Sequence, residues 1–104
     1  MALPVFEALA DPTRRALLDR LREDGPCSLT RLAEDRPITR QAVTKHLAVL
    51  EAAGLVEAWR SGRERMHALR LEPLRDVDAW LAPYAAAWDV RLARLKAHLE
   101  ETDR

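Results

Sequence analysis

The sequence predicts a mainly α-helical fold with a small β-hairpin. Three observations support this class. Val43, Leu47 and Leu50 recur at the four- and three-residue spacings of one helical face. Two strand-like runs then flank a turn that contains Gly62. A long series of large apolar residues, at helical spacing, follows to the end of the chain.

Composition limits what the chain can be. The 104 residues, of which 48% are hydrophobic, have room for one domain with one modest core, so we expect a single domain over residues 1–104. No apolar run approaches the roughly 18 residues of a membrane span, and the first residues do not resemble a secretory signal. Cys27 is the single cysteine, which excludes an intrachain disulfide. We expect a cytoplasmic protein without membrane partners or cofactors.

Three helices are predicted in the first third of the chain. The first covers residues 3–10. Asp11 and Pro12 then combine an N-cap carboxylate with proline at the first helical position, and this second helix should run to about Asp24. Ser28 is a cap for a third helix that ends near Glu34, and residues 35–37 should form the turn that follows.

The fourth helix, about residues 39–53, carries the most informative side chains. Thr39 is a plausible N-cap, and Gly54 can adopt the left-handed conformation that ends a helix. Since the apolar face packs on the domain, the opposite face is polar and hydrogen-bonding. Its members are Arg40, Gln41, Thr44, Lys45 and Ala48.

That outer face has the chemistry of a DNA-reading helix. Arginine can bind guanine with two hydrogen bonds, glutamine can bind adenine, and threonine offers a hydroxyl and a methyl group. Lys45 is better suited to a phosphate than to a base. The alternative for this helix alone is a solvated face that binds nothing.

The predicted hairpin strengthens the DNA interpretation. Its strands are residues 55–59 and 65–71, joined by a turn at residues 60–64. Arg60, Arg63 and Arg65 cluster at or near the tip, where a basic loop beside a reading helix suits phosphate or minor-groove contacts. Taken alone, the hairpin is better explained as a tip kept soluble by charge. The order and closeness of the two features favour a double-stranded DNA operator as partner.

Net charge is zero, but its distribution is uneven. Residues 1–35 carry 5 basic and 7 acidic side chains, residues 36–71 carry 7 and 3, and residues 72–104 carry 5 and 7. The positive charge therefore coincides with the predicted reading helix and hairpin. Such a local patch can attract a polyanion although the whole chain is neutral.

A long C-terminal helix, about residues 73–101, is predicted to form a dimer. Its apolar series is spaced like a near-heptad seam, and one short domain cannot cover it. We expect it to pair with the same helix of a second subunit, together with the first helix; the alternative is packing against its own domain. Pro83 should kink or split the helix. The expected interface residues are Leu3, Phe6, Leu9, Leu81, Tyr84, Trp88, Leu92 and Leu95.

These motifs resemble the ArsR/SmtB family of winged helix-turn-helix repressors over nearly the whole chain. FEALADPTRRALLDRL resembles the family's opening, and LAEDRPITRQAVTKHLAVLEAAGLV its core motif. The resemblance implies a homodimer whose N- and C-terminal helices form the interface. It also places six residues in or beside the recognition helix and a wing at about residues 55–71. The six are Thr39, Arg40, Gln41, Thr44, Lys45 and His46.

The chain departs from the family at its metal sites. Many members carry a Cys-x-Cys pair where this sequence has Ser28 and Thr30, and hydroxyls are poor ligands for thiophilic metals. A second family site needs two pairs of ligands. Here His98 and Glu101 match one pair, while alanines occupy the other positions. The resemblance is therefore to a subgroup that lacks the Cys-x-Cys site, and we predict no metal ligands.

The sequence thus favours a homodimeric, sequence-specific repressor acting on an inverted repeat, with an effector left unassigned. Two alternatives stay open. One is a metal- or thiol-responsive sensor of the same family that uses Cys27 or His98. The other is an interaction module whose long helix pairs with a different protein. No catalytic residues are predicted, because the sequence has no phosphate-binding loop, nucleophile elbow or metalloprotease motif.

Overall fold

The computed structural model describes residues 3–34 and 36–102. Asp35, which we assigned to a turn, lies outside the described residues. Eight elements follow one another in this part of the chain. They are α1 (Leu3–Leu9), α2 (Pro12–Asp24), β1 (Cys27–Ser28), α3 (Leu29–Ala33), α4 (Arg40–Ala52), β2 (Val56–Ser61), β3 (Glu64–Leu69) and α5 (Glu72–Thr102).

Helix starts follow the predicted capping chemistry. Asp11 accepts a hydrogen bond from the backbone N–H of Arg14 at 3.0 Å, so it caps α2 as expected. Ser28 and Thr39 cap α3 and α4 in the same way, each through its side-chain oxygen at 3.1 Å. These bonds satisfy amides that have no partner inside the helix.

Gly54 ends α4 in a Schellman arrangement. Its φ is 78°, its N–H donates to the carbonyl of Glu51 at 2.9 Å, and the N–H of Leu55 donates to the carbonyl of Leu50 at 3.0 Å. The chain therefore turns directly from the end of α4 into β2.

The sheet has three antiparallel strands in the order β1-β3-β2, so the predicted two-stranded hairpin was incomplete. Cys27 of β1 lies opposite His67 of β3. The turn is also shorter than predicted. Arg60 and Arg65 belong to the strands and lie directly opposite each other, which leaves Gly62 and Arg63 as the connecting residues.

The core lies between the first four helices and the sheet. Val43, Leu47 and Leu50 are buried, as the spacing predicted. Leu9, predicted at a dimer interface, packs against this core instead of standing fully exposed. The buried apolar side chains are Val5, Ala8, Leu17, Leu18, Leu21, Cys27, Leu32, Val43, Leu47, Leu50, Leu55 and Val56.

Helix α5 is continuous over 31 residues and includes Pro83, so the expected split does not occur. Leu74 and Val77 at its start pack against the core. From Asp78 to Glu101 every side chain is exposed, so the alternative of a seam covered by its own domain is wrong. None of the helices in the described part of the chain has the length and hydropathy needed to cross a lipid bilayer.

Candidate DNA interface

The outer face of α4 presents its polar side chains together. Arg40, Gln41, Thr44 and Lys45 are exposed and line one shallow groove. Because the opposite face of α4 is buried by three large aliphatic residues, the helix cannot rotate to hide this set. The predicted reading residues therefore form one continuous surface.

Thr44 differs from the expectation in one respect. Its hydroxyl donates a hydrogen bond to the carbonyl of Arg40 at 3.0 Å, within the same helix. In this arrangement the hydroxyl proton is engaged in the hydrogen bond to Arg40 and cannot be donated to a base. The oxygen lone pairs and the methyl group are what Thr44 offers to a base.

Helix α4 is adjacent to the wing, which comprises β2, β3 and the turn between them. Arg60 and Arg65 face one another across the strands, and Arg63 lies in the turn between them. Like charges directly opposite each other destabilise an isolated strand pair, so an anion at this end of the hairpin would relieve the repulsion. Glu51 of α4 already does so in part, because its Oε1 lies 3.4 Å from Nη2 of Arg65.

His46 lies at the margin of this surface and is partly buried. Its Nδ1 is 3.4 Å from Nη1 of Arg14, in the first turn of α2, and 3.9 Å from Oδ2 of Asp11, the N-cap of that helix. The backbone hydrogen bond from Arg14 lowers the pKa of the Asp11 carboxyl, which keeps this N-cap anionic. The contact between Arg14 and His46 could not be predicted from the sequence, since the two residues are 32 positions apart.

His67, in strand β3 of the wing, is a buried residue. It is 2% exposed, and burial lowers the pKa of its imidazole. Within the described ranges, its Nδ1 has no hydrogen-bond partner. A neutral ring is therefore favoured there, because a buried charge without a partner is costly.

Cys27 is 1% exposed, and its thiol lies 3.4 Å from the carbonyl of Gly25. Ser28, one of the two residues compared above with a Cys-x-Cys pair, is engaged as a helix cap. Among residues 3–34 and 36–102, no group of three or more His, Cys, Asp or Glu side chains is arranged to hold a metal ion.

A second surface extends from the first to the last helix. The ring centroids of Phe6 in α1 and Trp80 in α5 are 5.4 Å apart, in an edge-to-face contact. The ring centroids of Trp80 and Tyr84 are 4.9 Å apart, with the two rings tilted. We call the apolar series Leu81, Tyr84, Trp88, Leu92, Leu95 and Leu99 the α5 seam. It is exposed throughout, with Trp88 at 60% and Leu92 at 45%. Leu3 is exposed as well.

The fold and the outer face of α4 define a winged helix-turn-helix DNA-binding protein. A helix-turn-helix domain model matches residues 9–57. The chain is 44% identical over 79 residues to the HTH-type transcriptional regulator YuzN of Bacillus subtilis, covering 70% of this chain and 86% of that protein. The crystal structure of an ArsR family transcriptional regulator, RHA00566, is 40% identical, with a TM-score of 0.73 over 83% of this chain and 88% of that one. The chain belongs to the ArsR family of transcriptional regulators.

Solved structures agree with this assignment. An ArsR-like transcriptional regulator from Rhodococcus sp. RHA1 is 40% identical, with a TM-score of 0.69 over 91% of this chain and 89% of that one. The homodimeric winged helix-turn-helix DNA-binding domain of Mb0332 from Mycobacterium bovis is 27% identical. Its TM-score is 0.60, over 86% of this chain and 79% of that one.

Proposed function

We propose that this protein is a homodimeric repressor that binds an inverted-repeat operator. The observation that carries the proposal is the presence of two separate exposed surfaces. One is the polar face of α4 with the wing arginines, and the other is the α5 seam. The first suits DNA and the second suits another copy of the chain.

The proposed DNA contacts follow from side-chain chemistry. Arg40, Gln41 and Thr44 read base edges in the major groove. Lys45 on the same face, Thr39 at the N-cap of the helix and His46 bind the phosphate backbone. The wing adds Arg60, Arg63 and Arg65 as backbone contacts whose strength depends on salt.

The proposed dimer forms through the α5 seam, with Leu3 and Phe6 of α1 at its edge. The homodimeric Mb0332 domain supports this arrangement by its similar fold. A two-fold axis presents two α4 helices to successive major grooves, which requires half-sites about one helical turn apart. Bound there, the dimer would block transcription sterically. Because Ser28 and Thr30 stand at the Cys-x-Cys positions, we propose that the usual metal sites do not control it.

The decisive experiment is selection of a binding duplex from a random pool, followed by fluorescence anisotropy across a salt series. The wild type is compared with the triple variant Arg40→Ala, Gln41→Ala, Thr44→Ala. We expect tight binding that resists random competitor DNA and is lost in the triple variant. The control is Arg94→Ala, which removes the same charge from the exposed part of α5 and should bind like the wild type.

Two results would count against the proposal. Equal, weak and salt-labile binding of selected and random duplexes would remove sequence specificity. Absence of binding at low salt, from a folded protein, would leave the α5 seam as the functional surface and favour the protein-interaction alternative.

A further inference from the structure

Arg14, in α2, contacts two other helices at once. Its Nε donates to the carbonyl of Ala8 at 2.7 Å, and its Nη2 donates to the carbonyl of Glu7 at 3.0 Å. Both carbonyls belong to the last turn of α1, where a helix leaves its acceptors without internal partners. The third nitrogen, Nη1, lies 3.4 Å from Nδ1 of His46 in the middle of α4.

The two ends of this contact lie on the two proposed functional surfaces. Helix α1 carries Phe6, which contacts the aromatic residues at the start of the exposed part of α5. Helix α4 carries His46 directly after Lys45, on the helix that reads DNA. Arg14 itself is anchored in the first turn of α2, because its backbone N–H is bound by Asp11.

We propose that Arg14 is a positioning residue that couples the placement of α1 to the orientation of the recognition helix α4. This inference rests on the proposed function. The planar guanidinium holds its donors in a fixed fork, so a shift of the last turn of α1 moves the donor that faces His46. For Nη1 to donate, Nδ1 of His46 must be unprotonated, which leaves the neutral ring with its proton on Nε2.

The coupling has a functional consequence. A change at the subunit interface that moves α1 would alter DNA affinity without any contact between the interface and the DNA. Through this coupling, the position of α1 would regulate DNA affinity, in addition to the burial of Val5 and Ala8 of α1 in the core.

The chain offers a matched control in the neighbouring residue. Arg15 also donates to the end of α1, from Nη1 to the carbonyl of Leu9 at 2.7 Å. Within the described residues, Arg15 forms no hydrogen bond or ion pair with α4. Arg14→Gln and Arg15→Gln thus remove the same charge and the same kind of cap, but only the first removes the connection to the recognition helix.

The test combines DNA affinity with a measurement that needs no DNA. In anisotropy with the selected duplex, we expect Arg14→Gln to weaken binding about tenfold, as for the loss of a hydrogen bond to a charged group. We expect Arg15→Gln to change it less than about twofold, the range of an exposed charge. His46→Ala should weaken binding, and adding Arg14→Gln to it should bring no further loss, because the two residues act as one unit.

The second readout is the backbone amide spectrum of the free protein. Arg14→Gln should shift amide resonances of both the last turn of α1 and residues 44–48, whereas Arg15→Gln should shift those of α1 only. Thermal unfolding of each variant, with Arg14→Lys as the charge-conserving variant, confirms that the fold persists.

The outcomes separate this inference from the proposed function. Equal effects of the two glutamine variants, or additive effects of Arg14→Gln and His46→Ala, would overturn the coupling while DNA binding stands. If no duplex binds at all, the amide spectra still decide, because unchanged α4 resonances in Arg14→Gln would reject the coupling directly.

Discussion

Nη2 of Arg65 in the wing lies 3.4 Å from Oε1 of Glu51 in the recognition helix. The pair joins two elements that are both expected to contact DNA. Both side chains remain partly exposed, so the pair contributes little to the free energy of unfolding. Its main effect is electrostatic, because the carboxylate neutralises one of the arginines proposed to contact the phosphate backbone.

Removing that carboxylate should strengthen DNA binding. We expect Glu51→Gln to raise affinity for selected and random duplexes alike, and to steepen the salt dependence by about one counterion. Arg65→Gln should have the opposite effect. Glu57→Gln, which removes the same charge from an exposed position of β2, is the control. An unchanged salt slope in Glu51→Gln would show that Arg65 does not contact phosphates.

The α5 seam should determine the oligomeric state. Leu92→Glu places a charge in the seam, so we expect a shift from dimer to monomer in sedimentation equilibrium, with loss of operator binding. Ala97→Glu lies on the opposite face of the same helix and should remain dimeric. A Leu92→Glu protein that stays dimeric would place the subunit contact elsewhere.

A side chain at position 54 should lower the free energy of unfolding. The φ of 78° at Gly54 is unfavourable for other residues, and an added Cβ would lie 3.3 Å from Cγ of Pro73. Gly62 has a φ of 62° but open space around it. We expect Gly54→Ala to reduce the unfolding free energy by about 2 kcal/mol and Gly62→Ala by about 1 kcal/mol. If chemical denaturation shows that the two variants lose equal unfolding free energy, the contact with Pro73 is unimportant.

The lowered pKa of His67 predicts a loss of stability in mild acid. The unfolded chain binds a proton at His67 from about pH 6.5 downwards, whereas the folded chain resists it until the lower folded pKa is passed. The free energy of unfolding should therefore fall as pH decreases below about 6.5. Asp11 and Glu72, whose pKa values are lowered too, add a loss only near pH 4 and below, about the range of their unfolded pKa values.

The measurement is urea unfolding between about pH 5 and 8, the window around the unfolded histidine pKa. His67→Gln should reduce the dependence of the unfolding free energy on pH in this window. If the unfolding free energy of His67→Gln depends on pH as strongly as that of the wild type, another group causes the dependence.

Zinc should leave DNA binding unchanged. In a zinc titration monitored by anisotropy, we expect no change in DNA affinity at one zinc ion per subunit, because Ser28 caps α3 and Cys27 is buried. A stoichiometric loss of DNA affinity, abolished by His98→Gln, would contradict this and restore the sensor alternative.

Local patterns in the sequence were sufficient for most of the fold. Caps at Asp11, Ser28 and Thr39 and the stop at Gly54 depend on neighbouring residues, so they could be predicted. Strand β1 could not, because two residues are too short to show an alternation. The wing tip was predicted as a long turn because exposed arginines and serine in a strand look like a loop.

The polar face of α4 could be predicted because helical periodicity places its residues together. The contacts of Arg14 with His46 and of Arg65 with Glu51 could not. Each joins elements whose relative placement depends on the packing of the whole core. A single sequence carries no local signal of that placement.

Pairing through the α5 seam would also determine how long a subunit survives in the cell. With the seam paired as proposed, the dimer hides the large apolar side chains that a lone subunit exposes from Leu81 to Leu99. Proteases and aggregation act on such exposed segments. A subunit that fails to find its partner would therefore be removed as well as inactive. The dissociation constant of the dimer would then set the lowest copy number at which the regulator persists.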